Sequence, residues 1–186
     1  MEAPGGEPGY RHTGWVIPFQ HDAQVEYKLD ELMAHEALLI GRKTYESFAG
    51  AWPQRNEDWT MGAAAIPRRF GERMNAMPKY VASTTLKDPE WQNTTVLQGD
   101  ALAAVASLKR QLTGDLLLTG SRSLAQALGR HGLVDEYRLM VFPILLGSGE
   151  RLFEETEDTT RLHFVESRSL PNGAVVLTYR TSGGGA

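Results

Sequence analysis

Cysteine is absent from the 186 residues, and with it go several chemistries. Disulfide frameworks, cysteine-bound zinc, cysteine nucleophiles and the zinc deaminase signature all require it. No apolar run is long enough to cross a bilayer and no signal-peptide pattern is visible, so the expected location is the cytoplasm. Nineteen Lys and Arg against 23 Asp and Glu give a formal net charge of −4. Without a basic cluster, that balance argues against nucleic acid as a partner. The histidines lack metal-ligand spacing. Gly147-Ser148-Gly149 is not a nucleophile elbow, which needs glycines two residues to each side of the serine. What remains is an ordinary globular composition, 41% hydrophobic and 23% charged, with no repeat and no linker: one domain over 1–186. Glu154-Glu155 and Glu157-Asp158 read as a solvated loop.

Residues 1 to 14 are rich in Gly and Pro and read as a loop or arm. From Asp22 to about Glu36, Val25, Leu29, Leu32 and Met33 recur at helical spacing. Strand Ala37 to Ile40 and a short helix from about Lys43 to Phe48 follow. Beyond a Trp/Pro/Asn loop, a helical stretch around Phe70 to Asn75 leads through Pro78 into strand Lys79 to Ala82. Strand Thr94 to Leu97 precedes Asp100, a suitable N-cap for the helix carrying Leu102, Val105, Leu108 and Leu112. Strand Leu116 to Leu118 feeds Gly120-Ser121-Arg122-Ser123 and a helix toward Leu128. This alternation implies parallel strands covered on both faces. Glu136 to Phe142 then reads as a strand, and Leu162 to Ser169 and Val175 to Thr181 flank the hairpin signal Pro171-Asn172-Gly173. The predicted architecture is α/β, a mostly parallel sheet finished by an antiparallel hairpin.

Leu38-Leu39-Ile40 breaks at Gly41, and Arg42, Lys43 and Thr44 follow at a helix start. That is the wiring of a phosphate site: no Cβ at Gly41, outward N–H groups, two cations and a hydroxyl. Two further strand ends carry suitable groups. Ala82 is followed by Ser83-Thr84-Thr85 with Lys87 nearby, and Leu118 by Thr119-Gly120-Ser121-Arg122-Ser123. Ligands of open α/β sheets bind outside the carboxyl ends of strands, so the three ends together suit a polyphosphate. Taken singly, each motif reads equally well as turn or N-cap chemistry.

These residues resemble the dihydrofolate reductase superfamily, and more closely the branch with the reductase domain of the riboflavin biosynthesis protein RibD. The resemblance runs through Leu39 to Glu46, Met74 to Ser83, Gly120-Ser121, Gly132 to Tyr137 and Phe142 to Gly149. It implies a three-layer α/β/α fold, an NADPH-dependent reductase and, in that branch, a homodimer. It implies that Gly41, Arg42, Lys43 and Thr44 hold cofactor phosphates. Ser83 and Thr84 would lie at the 2′-phosphate, and Gly120, Ser121, Arg122, Ser123 and Leu124 would form the pyrophosphate turn. The absence of an acidic residue after Ala82 agrees with a phosphorylated ribose. The substrate implied is a small planar heterocycle, a pyrimidine or pterin of riboflavin or folate metabolism. The alternatives are a true dihydrofolate reductase and a non-catalytic NADP-binding protein.

Three departures qualify the transfer. The family opens with a hydrophobic central strand, whereas this chain starts in Met1-Glu2-Ala3-Pro4-Gly5-Gly6, which resembles the loop after it. Either the product begins upstream or the sheet lacks a central strand, and a product starting at Met1 is then expected to be unstable. The arginine by which folate reductases clamp the folate tail falls at Met77, and a thioether cannot replace a guanidinium. Thr119-Gly120 stands where those enzymes have Gly-Gly, often cis, and a cis bond is not expected here. For catalysis, Asp22 lies roughly where folate reductases keep their pocket carboxylate, with a helix N-cap as the equal alternative. Trp15, Ile17 and Phe19 suit the lining of the nicotinamide and substrate pocket, although core packing explains them equally. Glu136 and Arg138 point either into that pocket or away from the strand.

Overall fold

A computed structural model describes residues 9–157 and 159–183. The expectations for Met1 to Gly6 and for Asp158 therefore concern positions outside the described residues. Helix α1 (Asp22–Ala34) buries Val25, Leu29 and Leu32 of the stripe its periodicity predicts, whereas Met33, expected with them, is exposed. It ends two residues short of Glu36, and strand β1 (Ala37–Gly41) follows with every residue buried. Helix α2 is Arg42–Ala49. The stretch read as a loop holds a small antiparallel hairpin, β2 (Trp59–Met61) and β3 (Ala64–Ile66). Three residues per strand are too few for alternation to show in the sequence.

Helix α3 (Arg68–Ala76) leads into β4 (Lys79–Ala82), followed by β5 (Thr94–Leu97) and α4 (Ala101–Gln111). Asp100 caps α4, accepting from the N–H groups of Leu102 and Ala103. Strand β6 (Leu116–Leu118), helix α5 (Arg122–Arg130) and strand β7 (Glu136–Val141) come next, with Phe142 just outside β7. The hairpin of β8 (Leu162–Ser169) and β9 (Val175–Thr181) completes the fold.

The expected parallel sheet is present in the order β5-β4-β1-β6, all parallel, and β7-β9-β8 is antiparallel. Apart from the β2–β3 hairpin, the described residues form these two as separate sheets where one was expected. Among the described residues no backbone hydrogen bond joins β6 to β7. On one face of the parallel sheet, Val25, Leu29 and Leu32 of α1, Phe70 and Met74 of α3 and the β2–β3 hairpin cover Leu38, Ile40 and Val81. On the other, Val105 and Leu108 of α4 and Leu124 and Leu128 of α5 cover Leu39 and Leu97. Helix α1 also reaches the second sheet, where Tyr27 packs with Val176 and Met140. The layers are α/β/α, with the middle layer in two pieces. No helix among the described residues is long and apolar enough to cross a membrane.

Candidate cofactor and substrate site

Strands β1, β4 and β6 are parallel neighbours, so Gly41, Ala82 and Leu118 finish at the same end of the sheet. Two of the three turns beyond them are tied together. The Gly41 N–H donates to Ser121 Oγ at 2.6 Å, and Thr44 Oγ1 lies 3.0 Å from the same hydroxyl. The Gly41 N–H is thus taken up by Ser121. The missing Cβ of Gly41 makes room for a neighbouring turn: an added Cβ would lie 2.3 Å from Ser121 Oγ. Gly120 and Ser121 have φ of +82 and +64, two left-handed residues in succession. For serine that conformation is strained, and the two hydroxyl contacts hold it.

Around this locked pair the expected donors are arranged as a rim. Arg42 and Lys43 are exposed in the first turn of α2, with Arg42 ion-paired to Glu46 at 2.7 Å. Ser83 Oγ accepts from the N–H groups of Thr85 and Leu86, so its own proton remains to donate, and Thr84 is exposed beside it. Arg122 pairs with Glu150 at 2.5 Å, and Ser123 is exposed. Leu124, expected in the pyrophosphate turn, instead faces inward and packs with Leu39 and Leu128 in the core. All described peptide bonds are trans, Thr119–Gly120 included. No carboxylate occurs within 41–45, 82–86 or 119–124. That donor set, cations and hydroxyl donors, fits a phosphate-bearing ligand, with Glu46 and Glu150 as the carboxylates now paired with Arg42 and Arg122.

Since α1 descends into β1 through a two-residue connection, its first turn lies at the same end of the molecule as Gly41. Asp22 is the first helical residue, exposed, and its Oδ1 accepts from the Ala65 N–H of β3 at 2.7 Å. The N-cap is His21, whose Nδ1 accepts from the Ala23 N–H, so the capping alternative for Asp22 does not hold. Histidine is an uncommon cap, which is why the sequence pointed one residue too far. Trp15 and Phe19 meet Phe142 at ring-centroid distances of 5.3 and 5.8 Å, and Ile17 is 39% exposed. Phe142 thus joins this aromatic group, signalled in the sequence only by its place at a strand end and at the start of the Phe142 to Gly149 resemblance. Asn172 in the β8–β9 turn donates from Nδ2 to Phe19 O (2.6 Å) and to Gln24 Oε1 (2.8 Å), fixing the segment to α1.

Glu136 and Arg138 belong elsewhere. Arg138 Nε pairs with Glu136 Oε1 at 2.7 Å and its Nη1 with Glu31 Oε1 at 3.4 Å, while Arg180 Nε reaches Glu136 Oε2 at 3.0 Å. Burial works against ionisation of Glu136, but hydrogen bonds from Arg138 and Arg180 hold its carboxyl below the usual range. These charges bridge α1 to the second sheet. Met77 is fully buried at the end of α3, and nearby Arg73 is committed to the carbonyls of Leu32 and His35.

The RibD C-terminal domain family matches residues 12–176. The uncharacterized protein YyaP of Bacillus subtilis (strain 168) is 29% identical over 154 residues, 83% of this chain and 78% of YyaP. A pyrimidine reductase-like protein from Corynebacterium diphtheriae superposes with a TM-score of 0.56 at 15% identity, covering 88% of this chain and 83% of that one. Dihydrofolate reductase from Enterococcus faecalis, solved with NADP(H), gives 0.56 at 12% identity over 96% and 90%. At such identities the structures establish the fold, which is dihydrofolate reductase-like.

Proposed function

This chain belongs to the RibD C-terminal domain family, and from that premise we propose that it is an NADPH-dependent reductase acting on a small planar heterocycle of pyrimidine or pterin type. The observation that carries the reading is the convergence of three strand ends bearing Arg42, Lys43, Ser83, Thr84 and Ser123 with no carboxylate among them. When bound, the dinucleotide supplies a hydride from its reduced nicotinamide. The chain's own part is to bind, orient and manage a proton. Arg42 and Lys43 hold phosphate charge, with Arg42 exchanging Glu46 for the ligand. Ser83 and Thr84 donate to the 2′-phosphate. Trp15, Ile17, Phe19 and Phe142 supply apolar faces for a flat ring and exclude water. Asp22, tethered to β3 through one oxygen, is the proposed carboxylate that orients the substrate and its proton. We further propose a homodimer, on the grounds of Val141, Ile144 and Leu145, the last 99% exposed, and of Phe164 and Val165 on β8. Light scattering is expected to read twice the chain mass.

Titration calorimetry with NADPH and NADH, together with absorbance of reduced nicotinamide in the presence of candidate heterocycles, tests the reading. Losing two or three charge-assisted bonds at about 1.5 kcal/mol each is expected to weaken NADH about a hundredfold relative to NADPH. Ser83→Ala is expected to narrow that gap about tenfold. Dihydrofolate is expected to be a poor substrate, because Met77 is buried and Arg73 is occupied, leaving its tail carboxylate no free guanidinium at this place. Equal affinity for the two dinucleotides removes the role of Ser83. Binding without turnover on any heterocycle favours a non-catalytic binder, and a low-micromolar dihydrofolate KM favours a true dihydrofolate reductase.

A further inference from the structure

Arg122, Gln126 and Arg130 stand one turn apart on α5 and so share one stripe of it. All three are engaged by a single segment of the connection between β7 and β8. Arg122 Nε is paired with Glu150 Oε2 at 2.5 Å, Gln126 Nε2 donates to Arg151 O at 3.2 Å, and Arg130 Nη1 is paired with Glu154 Oε1 at 2.8 Å. Residues 150–154 therefore lie along α5 as a strap that runs in the helix's own direction. Phe153 adds an edge-on contact with Tyr137 of β7, ring centroids 5.5 Å apart, and Tyr10 Oη donates to Ser148 O just before the strap. Side chains do the holding. Among the described residues, no backbone group of 145–157 is hydrogen-bonded to other backbone. Gly147 and Gly149, at φ +73 and +115, turn the chain onto α5 in conformations that favour glycine. Exposed ion pairs and a ring that is 51% exposed are contacts of the kind that open first.

The first of these contacts differs from the others in what it occupies. Arg122 follows the Gly120–Ser121 turn directly, at the phosphate rim. Its Nε is shielded from solvent and, although Glu150 lies beside it, makes no hydrogen bond, so the pairing neutralises the cation and leaves a donor unmet. Glu46, which pairs with Arg42, belongs to the same helix and moves with it. Glu150 arrives on the loosely held strap and can leave without disturbing α5. While it stays, a polyphosphate entering the rim meets a carboxylate at the cation it requires, and two anions at about 4 Å repel each other.

We propose that the strap from Gly147 to Glu154 is a latch on the phosphate rim, in which Glu150 occupies Arg122 as an internal competitor and is displaced by the pyrophosphate of an incoming dinucleotide. The inference rests on the cofactor reading given above and adds to it a control on that site's affinity. Release begins at Glu150, next to the two glycines. The Arg130–Glu154 pair and Phe153, further along α5, keep the strap attached while its first part opens. Because NADPH and NADH share the pyrophosphate, Glu150 sets the affinity for both alike, whereas Ser83 is assigned to the difference between them.

The test is calorimetric titration of the full chain, of Glu150→Gln and of Glu154→Gln with NADPH, NADH and inorganic pyrophosphate. Glutamine keeps the size of glutamate and removes its charge. In Glu150→Gln the dissociation constants for all three are expected to fall about fivefold to tenfold, with the ratio of NADPH to NADH unchanged. Glu154→Gln removes the same charge about 12 Å further along α5, beyond the screening length of about 8 Å at physiological salt, and is expected to change each constant less than about twofold. Trypsin cleavage after Arg151 reads the strap itself. NADPH is expected to accelerate it in the wild type at least about threefold, the opposite of ordinary protection by a ligand, and Glu150→Gln is expected to be cut as fast without ligand. Unchanged or weaker binding by Glu150→Gln, with the wild type still binding both dinucleotides, overturns the latch and leaves the cofactor reading standing. An equal gain in Glu154→Gln, or slower cleavage after Arg151 with NADPH, also overturns the latch. A wild type that binds neither dinucleotide nor pyrophosphate overturns the cofactor reading and the latch together.

Discussion

Replacing Gly41 by alanine is expected to cost about 2–3 kcal/mol of stability and to weaken NADPH binding at least about a hundredfold. The backbone at Gly41, φ −89 and ψ 168, accepts any residue, so the cost is one of space. The new Cβ would lie 2.3 Å from Ser121 Oγ and 2.9 Å from Ser121 Cβ. Rotating the serine hydroxyl away relieves only the first clash. The second moves the backbone of a turn already held at two left-handed residues, breaking the bonds from Ser121 Oγ to Gly41 N–H and Thr44. The rims carried by β1 and β6 then separate, and two charge-assisted contacts at about 1.5 kcal/mol each account for the affinity. Calorimetric titration and thermal unfolding read both effects. Adding Ser121→Gly to Gly41→Ala is expected to return most of the stability, since glycine tolerates φ +64 and carries no Oγ. Wild-type affinity in Gly41→Ala would show that the two turns do not shape the phosphate site together.

That contact marks the limit of what could be read along the chain. Buried strands such as β1 and the helical stripe of α1 are local patterns, and their positions emerged to within a residue or two. The three polar strand ends were equally legible, because parallel order alone brings Gly41, Ala82 and Leu118 to one end. The reason for Gly41 was not. Its neighbour is 80 residues away, and nothing local distinguishes a glycine that admits an anion from one that admits another turn. Leu124 was misjudged for the converse reason. Membership in the motif Gly120 to Leu124 suggested a ligand contact, but its place in the α5 stripe with Leu128 assigns it to the core. Glu136 and Arg138 stayed ambiguous until Glu31 and Arg180 came into reach from other elements.

Lys79 carries the second large effect, on stability against pH. It opens β4 with a side chain wholly removed from solvent, and its Nζ donates to Asn75 O (3.0 Å) and Met77 O (2.7 Å) at the end of α3, 4.4 Å from the Trp91 ring centroid. Burial, reinforced by the charge of Arg73, pushes the ammonium down to about 8. The unfolded chain keeps that proton to the ordinary lysine value of 10.5. Between those values the unfolded state binds more protons than the folded one, so stability rises with pH through this window and is flat below it. The full shift corresponds to about 3 kcal/mol. Tyr27 sets the upper bound: burial and Glu31 raise it to about 12, so the unfolded tyrosine ionises first and stability falls above about pH 10. Denaturant unfolding at pH 7, 8, 9 and 10 is therefore expected to show a gain of about 2 kcal/mol between 8 and 10. In Lys79→Met the gain is expected to vanish, with stability at pH 7 within about 1 kcal/mol of the parent, because methionine refills the volume and Asn75 O keeps donors from Gln92 and Asn93. A pH-independent parent between 8 and 10, or a variant that keeps the rise, would mean that Lys79 holds its proton in the interior.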